Sequence, residues 1–224
     1  MRIAIFGTGG MADALGTAWA RAGHELAVAG RDPSRAAALA DRLTTTGANP
    51  AHHLAAAAAN PAHATTPAVT LGWSAAAEFA DVILLALPVS ALTTLLPALP
   101  LTGKILVDCT NTPGPTGAEP PPGTPVAERI AQLAPEASVV KAFNLAHVDV
   151  WRKNPPVFEG RPLAVPLCGA PEAVATVSTL VQDIGCTPVP AGDLSRAALL
   201  EATAAFVIGL WMSGADAQAI LAPA

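Results

Sequence analysis

The most restrictive feature of this 224-residue chain lies in its first dozen positions. Residues 2–6 (Arg-Ile-Ala-Ile-Phe) form a short apolar, β-rich run. Directly after it comes Gly7-Thr8-Gly9-Gly10-Met11-Ala12, a G-x-G-x-x-A pattern, and Met11 to Ala22 then has helix composition. Among 18 glycines such a pattern is weak by itself; its place between a strand and a helix gives it meaning. Gly7 permits a tight turn, Gly9 lets the backbone approach a pyrophosphate, and Ala12 allows close helix–strand packing. The free N–H groups at the helix start, with Gly10 and Met11 in the first turn, then face an anion. The alternative is a glycine-rich turn that holds no ligand.

The rest of the chain repeats the alternation. Gly23-His24 reads as a turn and Glu25–Ala29 as a second strand. Asp32-Pro33-Ser34 looks like a helix start, with Asp32 as N-cap and Pro33 at the first helical position, the helix running to about Leu43. Residues 44–67, with two Asn-Pro pairs, read as an inserted loop, in which His52, His53 and His63 lack the Cys or carboxylate partners of a metal site. Strands are expected at 68–73, 82–87, 104–108, 138–142, 162–167 and 187–190. Helices are expected at 74–80, 126–133 and 172–183. Thr112 to Pro125 reads as a proline-rich loop, and an apolar helix is expected from about Leu194 to Leu221. This is an α/β fold, a Rossmann-like doubly wound parallel sheet with a small C-terminal lobe and a terminal apolar helix. The division expected is 1–137 for a dinucleotide-binding domain and 138–224 for the lobe.

Charge and composition narrow the class of function. Hydrophobic residues make up 52% and charged residues 13%, which excludes a disordered tail protein. With 12 basic and 17 acidic residues the net charge is −5, and no basic cluster exceeds the pair Arg152-Lys153, so no nucleic-acid partner is expected. Any anionic ligand must be held by local groups. Cys109, Cys168 and Cys186 are odd in number and far apart, which predicts reduced thiols, no metal knuckle and a cytoplasmic setting. The N-terminus reaches glycine within seven residues, too soon for a signal core. Residues 82–103 carry no charge but contain Pro88, Pro97 and Pro100, so they read as a strand, a turn and a short helix rather than a membrane span. The terminal helix is apolar almost all round at Phe206, Val207, Ile208, Leu210 and Trp211, and must be buried in a homodimer interface or in the chain's own core.

The strand ends choose the ligand. A dinucleotide binder selective for NAD places a carboxylate at the end of its second strand. Here that strand ends Val28-Ala29-Gly30-Arg31, with Arg31 at 24 residues from Gly7 and Arg35 one helical turn further on. A guanidinium suits a 2′-phosphate, which favours NADP, and the N-cap role of Asp32 accounts for the one nearby carboxylate. Leu87-Pro88-Val89 closes another strand where the ribose and nicotinamide would pass. Thr110 and Asn111, after Asp108-Cys109, could bond the nicotinamide half or simply cap a turn.

These residues, together with Val140-Lys141-Ala142-Phe143-Asn144 and the stretch from Cys168-Gly169-Ala170 through Ala191-Gly192-Asp193-Leu194 to Glu201, resemble the coenzyme F420-dependent NADP reductase family. The resemblance covers nearly the whole chain apart from 44–67. It implies a Rossmann domain with a small lobe, usually dimeric, NADP held by Thr8 to Ala12, and Gly30, Arg31 and Arg35 around the 2′-phosphate. It implies a deazaflavin ring beside the nicotinamide, with Phe143, Asn144 and the positions up to His147 lining its cleft.

Such chemistry needs a positioned hydride donor and a dry site rather than a protein nucleophile. The chain has no tyrosine, so a Tyr-Lys acid pair is excluded. His147 is the one histidine expected near the cleft, as a donor to the acceptor's carbonyl or as a helix cap. Lys141 is expected at a strand end, either solvated or in the site. Arg152 and Lys153 read as a charged surface turn more readily than as a contact for the anionic tail of F420. The expected function is hydride transfer between NADPH and F420. The alternatives are reduction of a flavin, imine or ketone, and a non-catalytic NADP(H) sensor.

Overall fold

The computed structural model describes residues 1–48, 66–114, 117–118 and 123–215. Strand β1 (Arg2–Phe6) leads into helix α1 (Gly10–Arg21), then β2 (Glu25–Ala29) and α2 (Pro33–Gly47). Asp32 caps α2 as its sequence implies, accepting from the N–H groups of Ser34 and Arg35 at 2.9 and 3.2 Å. The helix runs one turn past Leu43, with the hydroxyls of Thr44, Thr45 and Thr46 each donating to the carbonyl four residues back. The expected insertion therefore begins inside α2; its histidines lie outside the described residues.

Further along come β3 (Val69–Thr70), α3 (Trp73–Phe79), β4 (Val82–Leu85), α4 (Val89–Leu95) and β5 (Ile105–Asp108). Trp73 was expected in a strand; it opens α3 instead, because Gly72 already takes the N-cap position. The short pair β6 (Pro113–Gly114) and β7 (Gly117–Ala118) precedes α5 (Val126–Leu133) and β8 (Ser138–Lys141). After α6 (Val148–Trp151), the hairpin β9 (Val157–Phe158) and β10 (Arg161–Pro162) leads to β11 (Ala164–Gly169), α7 (Pro171–Asp183), β12 (Thr187–Pro190) and α8 (Ala197–Met212).

Eight strands form one sheet in the order β12-β11-β8-β5-β4-β1-β2-β3. Its pairs are parallel except for β11 against β8, where Cys168 faces Lys141 and Gly169 faces Val140. The parallel sheet expected from the sequence is present, save for this one pair. The chain reverses through the β9–β10 hairpin and adds β11 and β12 beyond β8, so the sheet runs across the expected division at 137–138. Alternation along each strand feeds two apolar layers. Ile3, Ile5, Val82 and Leu84 pack under α1, α2 and α7, with Leu15, Trp19, Leu39 and Val177. Ala4, Phe6, Ile83 and Leu85 pack under α3, α4, α5 and the start of α8. Strands buried on both faces read as unbroken hydrophobic runs, as here.

The terminal helix was expected to be buried in a homodimer interface or in the chain's own core. Ala197, Leu200, Glu201, Ala204 and Ala205 are buried, but Phe206 is 60% and Met212 67% exposed. Leu194–Met212 is long and apolar enough to cross a membrane by length and composition, and 22% of it is buried in the chain. The chain's own core therefore covers only its N-terminal half.

Candidate functional site

The carboxyl ends of β1, β2 and β4 converge on one cavity of about 640 Å³. Ligands in open α/β sheets sit at this edge because the helix N-termini point there. Gly7 sits at φ +127°, its N–H donating to the Ala29 carbonyl at 2.9 Å. A Cβ at Gly7 would lie 2.2 Å from the Ala86 carbonyl oxygen, so the protein itself demands glycine there. Gly9 differs: a Cβ there would meet nothing within 4 Å. It faces the cavity, and the space above it is the space a diphosphate needs at the start of α1. Gly30 is held by Thr8, whose Cγ2 would be 2.8 Å from a Cβ.

Gly7, Thr8, Gly9, Gly30, Arg31, Arg35, Leu87 and Pro88 all line this cavity. The other expected cofactor residues support it from outside. Gly10 packs under Val148, Met11 leans on the core, Ala12 is fully buried, and Val89 begins α4 against the second apolar layer. The guanidinium groups of Arg31 and Arg35 make no hydrogen bond or ion pair with any described residue, while Asp32 is spent on its cap. Two cations with no partner among the described residues, one at the tip of β2 and one in the first turn of α2, are what a phosphate dianion requires. Sequence reasoning missed Trp73, Thr94 and Leu95, which close the far wall. Trp73 stands edge-on to Phe6 at 5.2 Å, a long-range contact that no local pattern announces. It also missed Gly16, which lets Ile5 and Leu43 close against α1.

At the ends of β5 and β8 the structure corrects several expectations. Thr110 turns inward, its N–H and hydroxyl both donating to Asp108 Oδ1 at 2.9 and 2.7 Å, so its hydroxyl is not offered to a ligand. Asn111 Nδ2 donates to the Asn144 carbonyl at 2.9 Å; Asn144 Nδ2 donates to Asn111 Oδ1 and to the Leu200 carbonyl, both at 3.1 Å. Asn144 is buried, with its Nδ2 committed to these two acceptors. The Phe143 ring is 2% exposed, edge-on to Trp19 and Trp151 in the core; with Asn144 it borders a small cavity of about 70 Å³ beside Leu145 and Leu163. Lys141 is not solvated either: it is fully buried, donating to Asp108 Oδ2 at 2.8 Å and to the Thr110 carbonyl at 2.6 Å, with Glu201 Oε1 at 3.3 Å. Burial pushes its ammonium down, but Asp108 and Glu201 outweigh this and hold it above the ordinary lysine range.

His147 N-caps α6, its Nδ1 accepting from the Asp149 N–H at 3.3 Å. The same Nδ1 lies 3.3 Å from Asp149 Oδ2. His147 lines a second cavity of about 800 Å³ that starts one residue beyond Asn144, with Leu145, Val150, Phe158, Leu163, Arg161 and Trp211 among its walls. Arg152 pairs with Asp149 at 2.6 Å on the surface, both side chains exposed, as a charged surface turn. Burial pushes the Cys109 thiol up to about 12 and that of Cys186 up to about 11, so neither serves as a nucleophile. Among the described residues no His, Cys, Asp or Glu cluster could hold a metal ion.

Residues 2–112 match the model of a protein family described as NADP oxidoreductase, coenzyme F420-dependent. The chain is 36% identical over 113 residues to metalloreductase STEAP3 of Rattus norvegicus; the match takes in 50% of this chain but 22% of that protein. A solved structure from Arthrobacter sp. FB24, provisionally designated an F420-dependent NADP-reductase, superposes with a TM-score of 0.72 at 26% identity, covering 95% of both chains. A reductive aminase of Aspergillus terreus, solved with NADPH, shares the fold at a TM-score of 0.60 and 20% identity, over 95% of this chain and 60% of that one.

Proposed function

From the match of residues 2–112 to the coenzyme F420-dependent NADP oxidoreductase family, we propose that this chain passes a hydride between NADPH and coenzyme F420. The observation that carries the cofactor half is the cavity at the β1–β2 tips, open above Gly9 and flanked by the unpaired guanidiniums of Arg31 and Arg35. Thr8 to Gly10 would hold the diphosphate, and Arg31 and Arg35 the 2′-phosphate. The adenosine half then fills the cavity walled by Trp73, and the nicotinamide half lies over the ends of β4, β5 and β8. The chemistry that NADPH supplies when bound is hydride transfer from its nicotinamide ring.

The residues around the second cavity support the acceptor half. Its walls are mostly apolar, suited to a flat ring, and Arg161 and His147 border it for an anionic or carbonyl group. With Nδ1 engaged at the start of α6, His147 Nε2 is the ring nitrogen left to meet that group. Exposed Phe206 and Met212 on α8 are the face on which we place a second copy of the chain, since uncovered apolar surface of this kind marks an association site.

The test is spectrophotometric, following NADPH oxidation with F420, FMN, a cyclic imine and a ketone in turn. Turnover with F420 is the expected result. Oxidation with FMN, the imine or the ketone but not with F420 would move the chain to the alternative reductase reading. Tight NADPH binding with no turnover on any acceptor would make it a sensor.

A further inference from the structure

Resting on the cofactor placement above, we propose that Lys141 is a positioning residue. Its buried ammonium, clamped between Asp108 and Glu201, fixes the Thr110 carbonyl and so holds the Asn111–Asn144 amide pair as a preset edge for the nicotinamide half of the cofactor.

The geometry behind this joins four elements. Lys141 ends β8, Asp108 ends β5, and Glu201 lies on α8. Glu201 also accepts from the N–H groups of Val126 and Ala127 at 2.9 and 3.0 Å, capping α5. The two carboxylates outnumber the one ammonium, but helix N–H groups offset the Glu201 charge, and Thr110 donates twice to Asp108. Every ion in the cluster is thus both paired and hydrogen-bonded, which is what burial at this depth demands. Immediately above it, Asn111 and Asn144 exchange hydrogen bonds and Asn144 reaches the Leu200 carbonyl, beside Glu201.

The backbone adds an independent sign. Phe143, between Lys141 and Asn144, sits at φ +62°, a region that bulky residues rarely occupy. Such strain persists only where its surroundings over-determine it, and it gathers at sites that must be held in place. Here the ring is fixed by Trp19 and Trp151, and the turn it forces is what aims Asn144 at Asn111. A hydrophobic pair in place of Lys141 and Glu201 would fill the space equally well; it would not fix the Thr110 peptide. The cluster therefore serves placement rather than bulk.

The experiment measures three quantities on wild type, Lys141→Met and Glu201→Gln. They are the affinity for 2′,5′-ADP, which reads only the adenosine half, the affinity for NADPH, and the emission of bound NADPH, which reads the nicotinamide's surroundings. In Lys141→Met the 2′,5′-ADP affinity should stay at the wild-type value. NADPH affinity should fall about tenfold, the scale of one lost charge-assisted hydrogen bond, and the emission should revert toward that of free NADPH. Glu201→Gln, which keeps the shape and the Lys141–Asp108 pair, should fall between the two; it decides the matter should Lys141→Met fail to fold. Unchanged NADPH affinity and emission in a variant that binds 2′,5′-ADP normally would overturn the inference. Equal weakening of both ligands would overturn it too, marking the cluster as general support. Wild type that binds neither ligand would instead remove the cofactor reading on which the inference rests.

Discussion

Gly7 and Gly9 look alike in the sequence but answer to different demands. Gly7 must lack a side chain because the Ala86 carbonyl occupies that space, whereas Gly9 has open space above it. Gly7→Ala should therefore lower the melting temperature markedly, while Gly9→Ala should leave it unchanged in a thermal melt and still weaken NADPH in a binding titration. Equal thermal losses would place the need for Gly9 in the fold rather than the ligand. The Asp32 cap and the placement of Arg31 and Arg35 beside the cavity were readable because they are local, resting on one strand tip and one helix start. Lys141, Thr110 and Phe143 were not. A lysine at a strand end reads as solvated unless its partners are known, and Asp108 and Glu201 lie 33 and 60 positions away in the chain. Local pattern carries no record of such pairings, nor of the aromatic trio that draws Phe143 inward.

Strands and helices were legible in proportion to how much of their stabilisation is local. The first βαβ unit follows from Gly7, the Asp32 cap and the alternation of Ile3, Ala4, Ile5 and Phe6 between two layers. The reversal of β11 against β8 had no such signal, because strand direction is set by the path of the β9–β10 hairpin rather than by composition. Helix α8 is the sharpest case. Its sequence demands burial on every side, yet beyond Ala205 Phe206 and Met212 face outward. If a second copy covers this face, replacing both residues with glutamate should turn a dimer into a folded monomer in light scattering. A wild-type chain that is monomeric at high micromolar concentration, or a variant that still pairs, would contradict that placement.

One continuous sheet joins the β1–β2 edge to the pair β11–β12, with an apolar layer on each face. Its stability should depend on pH in a definite direction. The thiols of Cys109 and Cys186 are raised by burial to about 12 and about 11, against about 8.5 in an unfolded chain. A group whose pKa is raised by folding contributes fully below its unfolded value and loses that contribution as pH rises toward the folded one. Denaturant unfolding should therefore show stability falling from about pH 8.5 upward, and Cys109→Ala with Cys186→Ala should flatten that slope; an unchanged slope would contradict the assignment. Hydride transfer at this edge would depend on its grip on a phosphorylated dinucleotide. Calorimetric titration of NADPH and NADH into wild type and Arg31→Ala tests it most directly. Wild type should prefer NADPH, and Arg31→Ala should cost NADPH about 1–3 kcal/mol while leaving NADH nearly unaffected. Heat from neither nucleotide, or an equal loss for both in the variant, would contradict it.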